Sequence, residues 1–135
     1  MAEMKERESV AGIALKDGRV FIARRKEGGD LGGKWEFPGG KVRPGESAAQ
    51  ALAREFAEEL DIPVRAGEQI GEAAFIHKDT RFRLTAWLVT PESENFAFNE
   101  HTEYRWVTAD EMDSLDFAGS DRQLFPAVRK ALARL

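Results

Sequence analysis

Glu55, Glu58 and Glu59 stand at i, i+3 and i+4 of a segment with helical apolar spacing, so a helix carries their three carboxylates on one face. Neighbouring like charges repel by about a few tenths of a kcal/mol per pair even when solvated. Arg54, four residues before Glu58, relieves part of that repulsion. A structural role does not require three acids crowded against the edge of a buried stripe, whereas a hard divalent cation does. Mg²⁺ takes oxygen ligands and commonly bridges carboxylates to substrate phosphates. Considered alone, such a cluster also reads as a solvated acidic face, the ordinary condition of glutamate-rich helices. The residues just before it add to the cation reading. Gly39-Gly40-Lys41-Val42-Arg43-Pro44-Gly45-Glu46 is a loop whose backbone can approach a ligand without side-chain hindrance.

The element that must carry the acids is a helix over Ser47–Leu60. Ser47 serves as N-cap with Gln50 three residues on, a capping-box pattern. Ala49, Leu52, Ala53, Phe56 and Leu60 fall on one face, and Pro63 ends the helix by disfavouring helical backbone at Ile62. Upstream, Val10–Leu15 and Val20–Ala23 predict a hairpin turning at Lys16-Asp17-Gly18-Arg19. Arg24-Arg25-Lys26 leads into a glycine-rich loop, and Trp35-Glu36-Phe37 forms a short strand stopped at Pro38. Downstream, Phe75–His77 and Arg81–Thr90 predict strands joined at Lys78-Asp79-Thr80, and Glu103–Val107 a further strand. Thr108 and Glu111 form a second capping box. A last helix opens at Ser120–Gln123 and buries Leu124, Val128, Ala131, Leu132 and Leu135. Strands interleaved with helices predict a mixed α/β protein.

The chain has 135 residues, 42% hydrophobic and 33% charged, which predicts one compact domain over 1–135 with residues 1–8 frayed. It contains no cysteine, which excludes disulfides, thiolate metal sites and a cysteine nucleophile. A net charge of -4 argues against a nucleic-acid polymer as partner, because such proteins show basic patches. No apolar run approaches the roughly 20 residues that span a bilayer, and Met1–Glu8 has no apolar core of a secretory signal. A cytoplasmic protein with a small-molecule partner is expected. Oligomeric state is left open.

Gly40, Glu46, Arg54-Glu55-Phe56, Glu58-Glu59 and Ile62 together resemble the Nudix box. Its six glycine or charged positions match by chance about once in 10⁷ windows. The family usually has Gly where this chain has Asp61, a left-handed helix stop that Asp adopts at modest cost. The resemblance extends through Arg24-Arg25, Trp35 to Lys41, Trp106-Val107 and Phe117-Ala118-Gly119-Ser120-Asp121, which look like the MutT-type branch of nucleoside-triphosphate pyrophosphohydrolases. It implies a Nudix-like α/β/α sandwich with a mixed sheet and a Mg²⁺ cofactor, with Mn²⁺ as an alternative.

The resemblance also implies roles. Glu55 and Glu59 would be metal ligands, Glu58 a ligand or a water-held neighbour, and the Gly39 carbonyl would complete the set. Arg54 would fix a glutamate rotamer, with Glu46 in support. Glu100 matches an additional metal-binding or base glutamate. Glu55 is the first choice of general base and Glu100 the second. Arg25 is a phosphate contact or a surface ion pair, and Lys41 lies in the substrate-facing loop. Phe37, with Trp35, either flanks a base or belongs to the core. Asp121 stands where guanine-reading members carry Asn. An ionised Asp only accepts hydrogen bonds, which suits an exocyclic amino group; capping the last helix is its other reading. His77 receives no role. Hydrolysis of ADP-ribose, a dinucleotide or a nucleotide sugar is the rival activity. A non-catalytic ligand-sensing module is the rival class, disfavoured because the three box glutamates are all present.

Overall fold

The computed structural model describes residues 4–134. Eight strands are formed: β1 (Lys5–Ile13), β2 (Leu15–Lys16), β3 (Arg19–Arg25), β4 (Trp35–Glu36), β5 (Gly39–Lys41), β6 (Val64–His77), β7 (Thr80–Pro91) and β8 (His101–Val107). The helices are α1 (Ala48–Leu60), α2 (Ala109–Asp113), α3 (Gly119–Arg122) and α4 (Phe125–Ala133). One sheet runs β5-β1-β7-β6. In it β1 and β7 are parallel and the other neighbours antiparallel, so it is mixed, as expected. In the other sheet β3 lies between β4 and β8 and turns back on β2, all antiparallel.

Strand alternation sends side chains to two faces. On β1 and β3, Val10 and Phe21 join the apolar layer under α1, with Leu52, Phe56 and Leu60. Their neighbours Ala11, Val20 and Ile22 join the opposite layer, with Met112, Phe117, Leu124 and Val128 from the α2–α4 region. Helices on both faces give the α/β/α sandwich. No helix among the described residues is long and apolar enough to cross a membrane.

The capping box of α1 is complete: Ser47 Oγ accepts from Gln50 N at 3.1 Å, and Gln50 Oε1 accepts from Ser47 N at 2.8 Å. Asp61 ends the helix in the left-handed conformation, φ 57°, the place the family fills with glycine. Thr108 and Glu111 close the second box.

Several expectations are corrected. Residues 5–8 are not frayed; they are the first residues of β1, paired with Thr80–Arg83 of β7, while residues 1–3 lie outside the described residues. Val10–Ile13 pairs with β7 rather than with β3, and the hairpin is confined to Leu15-Lys16 and Arg19-Val20. Ala49 and Ala53 are exposed, and Ala51 is buried instead. Gly39–Lys41 is a short strand against Ser9–Ala11 rather than a free loop. β6 begins eleven residues before its expected start, at Val64; two register shifts between Ala66 and Gly71 break the alternation that would reveal it. The last helix is two: α3 stops at Arg122, and α4 starts with Pro126 in its first turn, where the missing N–H is not needed. Leu135 lies outside the described residues.

Because α1 carries the acidic cluster, its cap is a stability test. Ser47→Ala should cost about 1 kcal/mol, read as a lower urea midpoint at unchanged m-value; a wild-type midpoint would show that the cap does not hold α1.

Candidate functional site

Arg54 organises the acidic cluster. Its Nε and Nη2 donate to the two oxygens of Glu46 at 2.8 and 2.9 Å, a bidentate pair. Nη1 donates to Glu55 at 2.7 Å and to Glu58 at 3.4 Å, and Nη2 also reaches the Lys41 carbonyl at 2.9 Å. The guanidinium therefore ties the loop before α1 to two of its carboxylates. Glu46 is held further by the Arg43 N–H. The hydrogen bonds from Arg54, and then that from Arg43, hold its carboxyl at about 2.

Two glycines let the loop and β5 approach. A Cβ on Gly40 would fall 2.6 Å from the Glu55 carboxyl carbon, and one on Gly39 would fall 2.0 Å from the Val10 carbonyl oxygen. At Gly39 the clash is with backbone, so only glycine lets the strand lie this close; at Gly40 a side chain would displace the Glu55 carboxylate. A cleft of about 180 Å³ results, lined by Arg25, Gly39, Glu55, Glu58, Glu59 and Glu100. Glu100 comes from the segment before β8. That segment is tied down by Asn99, whose amide donates to the Glu58 carbonyl and whose carbonyl accepts from Lys26 Nζ.

Glu59 is buried. Burial, then a hydrogen bond with Glu55, then the charge of Glu36 push its carboxyl far above the usual range. Four acids, from buried Glu36 and Glu59 to half-exposed Glu58, share two guanidinia, Arg54 and Arg25, so hard oxygen donors exceed cations, which is the donor set a divalent ion fits. Glu36, Glu59 and His101 bring ligand atoms within 4.8 Å of one another.

Of the remaining sequence-derived residues, Arg25 lines the cleft and forms an ion pair with Glu36 at 3.3 Å. Phe37 is not brought to the cleft. Its ring is buried among Phe117 and Phe125, with centroids 5.2 and 6.2 Å away, which corrects the base-flanking reading in favour of core packing. Trp35 is likewise buried, with Arg105 over its ring. The Lys41 ammonium lies over the Phe82 ring, 5.3 Å from its centroid, and only its carbonyl joins the site. Asp121 does not cap a helix. It lies inside α3, buried, and its carboxylate accepts from the Phe37 N–H at 2.8 Å. Burial, then the charge of Glu36, raise its carboxyl to about 7. Gly119 and Ser120, just before it, line a second cleft with Arg25, Phe75 and His77.

Two buried polar residues of the site have no forerunner in the sequence reading. Glu36 lies in the expected Trp35–Phe37 strand, and His101 directly follows Glu100. With only two histidines in the chain, the adjacency to Glu100 was the available signal.

A family model described as NUDIX domain matches residues 5–128. A CTP pyrophosphohydrolase of Escherichia coli (strain K12) is 36% identical over 124 residues, covering 92% of this chain and 92% of that protein. An 8-oxo-dGTP diphosphatase of Proteus vulgaris is 38% identical over 91 residues, 67% of this chain and 81% of that protein. The solution structure of the E. coli ORF135 protein superposes with a TM-score of 0.86 at 35% identity, covering 97% of this chain and 94% of that one.

A carboxyl raised from 3.8 to about 7 on folding contributes stability below pH 4 that is lost as pH rises through 7. Asp121→Asn keeps an acceptor for the Phe37 N–H and removes the titration. The variant's Tm minus the wild-type Tm should therefore climb by at least about 3 °C between pH 4 and pH 8; a flat difference would mean that folding does not shift the Asp121 carboxyl.

Proposed function

The chain belongs to the Nudix family and is a MutT-type nucleotide pyrophosphohydrolase, and we propose that it splits nucleoside triphosphates between the α and β phosphates, giving a nucleoside monophosphate and pyrophosphate. In this reading residues 1–135 act as one Nudix domain on small nucleotides of the cytoplasm, with Mg²⁺ as cofactor and Mn²⁺ as substitute. The carrying observation is the Arg54-organised carboxylate cluster opening into the same cleft as Arg25, Gly39 and Glu100.

Glu55 and Glu59, with Glu58 and the Gly39 carbonyl, would hold the cation, and Glu100 faces them across the cleft. A bound divalent ion supplies charge neutralisation at the phosphate oxygens and lowers the pKa of water. Glu55 accepts the proton of the attacking water as general base, with Glu100 the second choice. Arg54 holds the rotamer of Glu55, and Glu46 holds Arg54. Arg25 stands at the mouth of the cleft, where a guanidinium suits phosphate oxygens. Glu59→Gln keeps side-chain size and should lower kcat by at least about 100-fold at saturating Mg²⁺ with the fold intact, as judged by circular dichroism. Wild-type turnover would remove Glu59 from the metal site. Products separated by chromatography should be monophosphate and pyrophosphate; diphosphate plus orthophosphate alone would sink the cleavage position.

The base is read, in this proposal, through Asp121. One of its oxygens is engaged by the Phe37 N–H; ionised, the carboxyl offers acceptors to an exocyclic amino group and opposes a guanine carbonyl, whereas the protonated form, reached below about pH 7, gains a donor. Relatives include both a CTP pyrophosphohydrolase and an 8-oxo-dGTP diphosphatase, so the choice of base rests on Asp121 alone. Sites built on a polar group reject mismatched bases strongly. Comparison of kcat/KM for cytosine, adenine, guanine and 8-oxoguanine triphosphates should favour an amino-bearing base by about tenfold or more over 8-oxoguanine, and Asp121→Asn should narrow that gap. Equal or greater use of 8-oxoguanine, untouched by the substitution, would show that Asp121 does not read the base.

A further inference from the structure

His101 is the most completely buried polar residue of the site, 1% exposed, at the first position of β8. Its Nε2 lies 2.9 Å from Glu36 Oε2 and 3.7 Å from Glu59 Oε1. Its Nδ1 is buried and has no hydrogen-bond partner among the described residues. These facts select the tautomer. A proton on Nδ1 would bury a donor with no acceptor, and would turn the Nε2 lone pair toward two carboxylates. A proton on Nε2 meets Glu36 and faces Glu59, leaving only an acceptor unmatched, the cheaper of the two defects. Glu36 is steadied from its other oxygen by Arg25 Nη1. The result is a chain from the cleft mouth through Arg25, Glu36 and His101 to the buried side of Glu59.

We propose that His101 is a positioning residue, which fixes the Glu59 carboxylate for cation binding by holding an Nε2–H between Glu36 and Glu59. The inference rests on the reading of Glu59 as a metal ligand. When Glu59 ionises to hold a cation, the absence of that donor would leave two carboxylates facing each other across a buried gap, and Glu59 would turn away from Glu36. The competing account is packing alone, since the imidazole also lies 5.9 Å from the Tyr104 ring. Packing demands volume, whereas positioning demands a donor at one place.

His101→Leu preserves volume without a donor. His101→Gln puts an amide N–H near the place of Nε2, and His101→Asn stops short of it. Mn²⁺ affinity of the substrate-free protein, measured by electron paramagnetic resonance, should fall about 10–100-fold in the Leu and Asn variants and recover in the Gln variant. KM for the nucleotide at saturating Mn²⁺ should change little. Folded Leu or Asn variants with wild-type affinity, or a Gln variant no better than they are, would overturn the proposal. Glu59→Gln separates the two levels: if it loses Mn²⁺ affinity while His101→Leu does not, this inference alone fails. If Glu59→Gln binds Mn²⁺ normally, the metal assignment itself fails. An imidazole ¹⁵N spectrum of the metal-free wild type, simple to assign with two histidines, should show the proton on Nε2. A proton on Nδ1 with Nε2 bare would make His101 a ligand rather than a positioning residue, and would overturn the proposal without recourse to any variant.

Discussion

The site depends on the cost of crowding carboxylates at the edge of the core, where the innermost of them is cut off from water. Glu55, Glu58 and Glu59 share a helix face, and Glu59 is buried. One guanidinium, Arg54, touches Glu46, Glu55 and Glu58 at once. Its planar fork lets a single side chain bridge the loop and the helix, which a lysine ammonium cannot do with the same geometry. Arg54 does not reach the far side, where Glu59 and Glu36 share the single guanidinium of Arg25. That imbalance is what a divalent cation would resolve, and it makes the cluster an unfavourable arrangement in search of a ligand rather than a stabilising network.

The fold supplies what such an arrangement needs. α1 is capped at both ends, by Ser47 and by the left-handed Asp61, and is seated on an apolar layer containing Leu52, Phe56 and Leu60. Rigid seating limits how far the acids can relax from one another. β5 carries Gly39 and Gly40 beneath them, close enough that a methyl group would collide with either Glu55 or the Val10 carbonyl. The cleft is thus bounded by α1, β5 and the end of β3, and by one loop tied to α1 through Asn99.

Beyond the helix acids, two buried carboxyls are tied to the backbone or to another charge. Asp121 holds the Phe37 N–H from α3, anchoring the chain just before β5, while Glu36 takes donors from Arg25 and His101. The first ties α3 to the end of β4, and the second ties β4 to β3 and β8, from which His101 faces Glu59 of α1. Burying such groups is costly unless partners are in place, so their presence reflects the geometry they enforce. They also explain why Phe37 is a core ring here: its backbone, not its side chain, is the part that meets a functional residue.

By itself the sequence determined the chemistry-bearing helix. Ser47 and Gln50, the acids at i, i+3 and i+4, and the stop at Asp61 and Pro63 are all local signals, because capping and helical periodicity act within a few residues. The Gly40 to Ile62 pattern likewise carried the family, since the ligating residues of one site are concentrated in one segment. Tertiary structure decided whatever depends on partners distant in the chain. Lys5–Glu8 and Val64–Ala74 carry no alternation, and form strands only because β7 offers its edges to both. The burial of Glu36 and His101, and their meeting with Glu59, join segments 65 residues apart. No spacing rule encodes such a contact, because it is the packing of two sheets against α1, not any local preference of the backbone, that brings those side chains together.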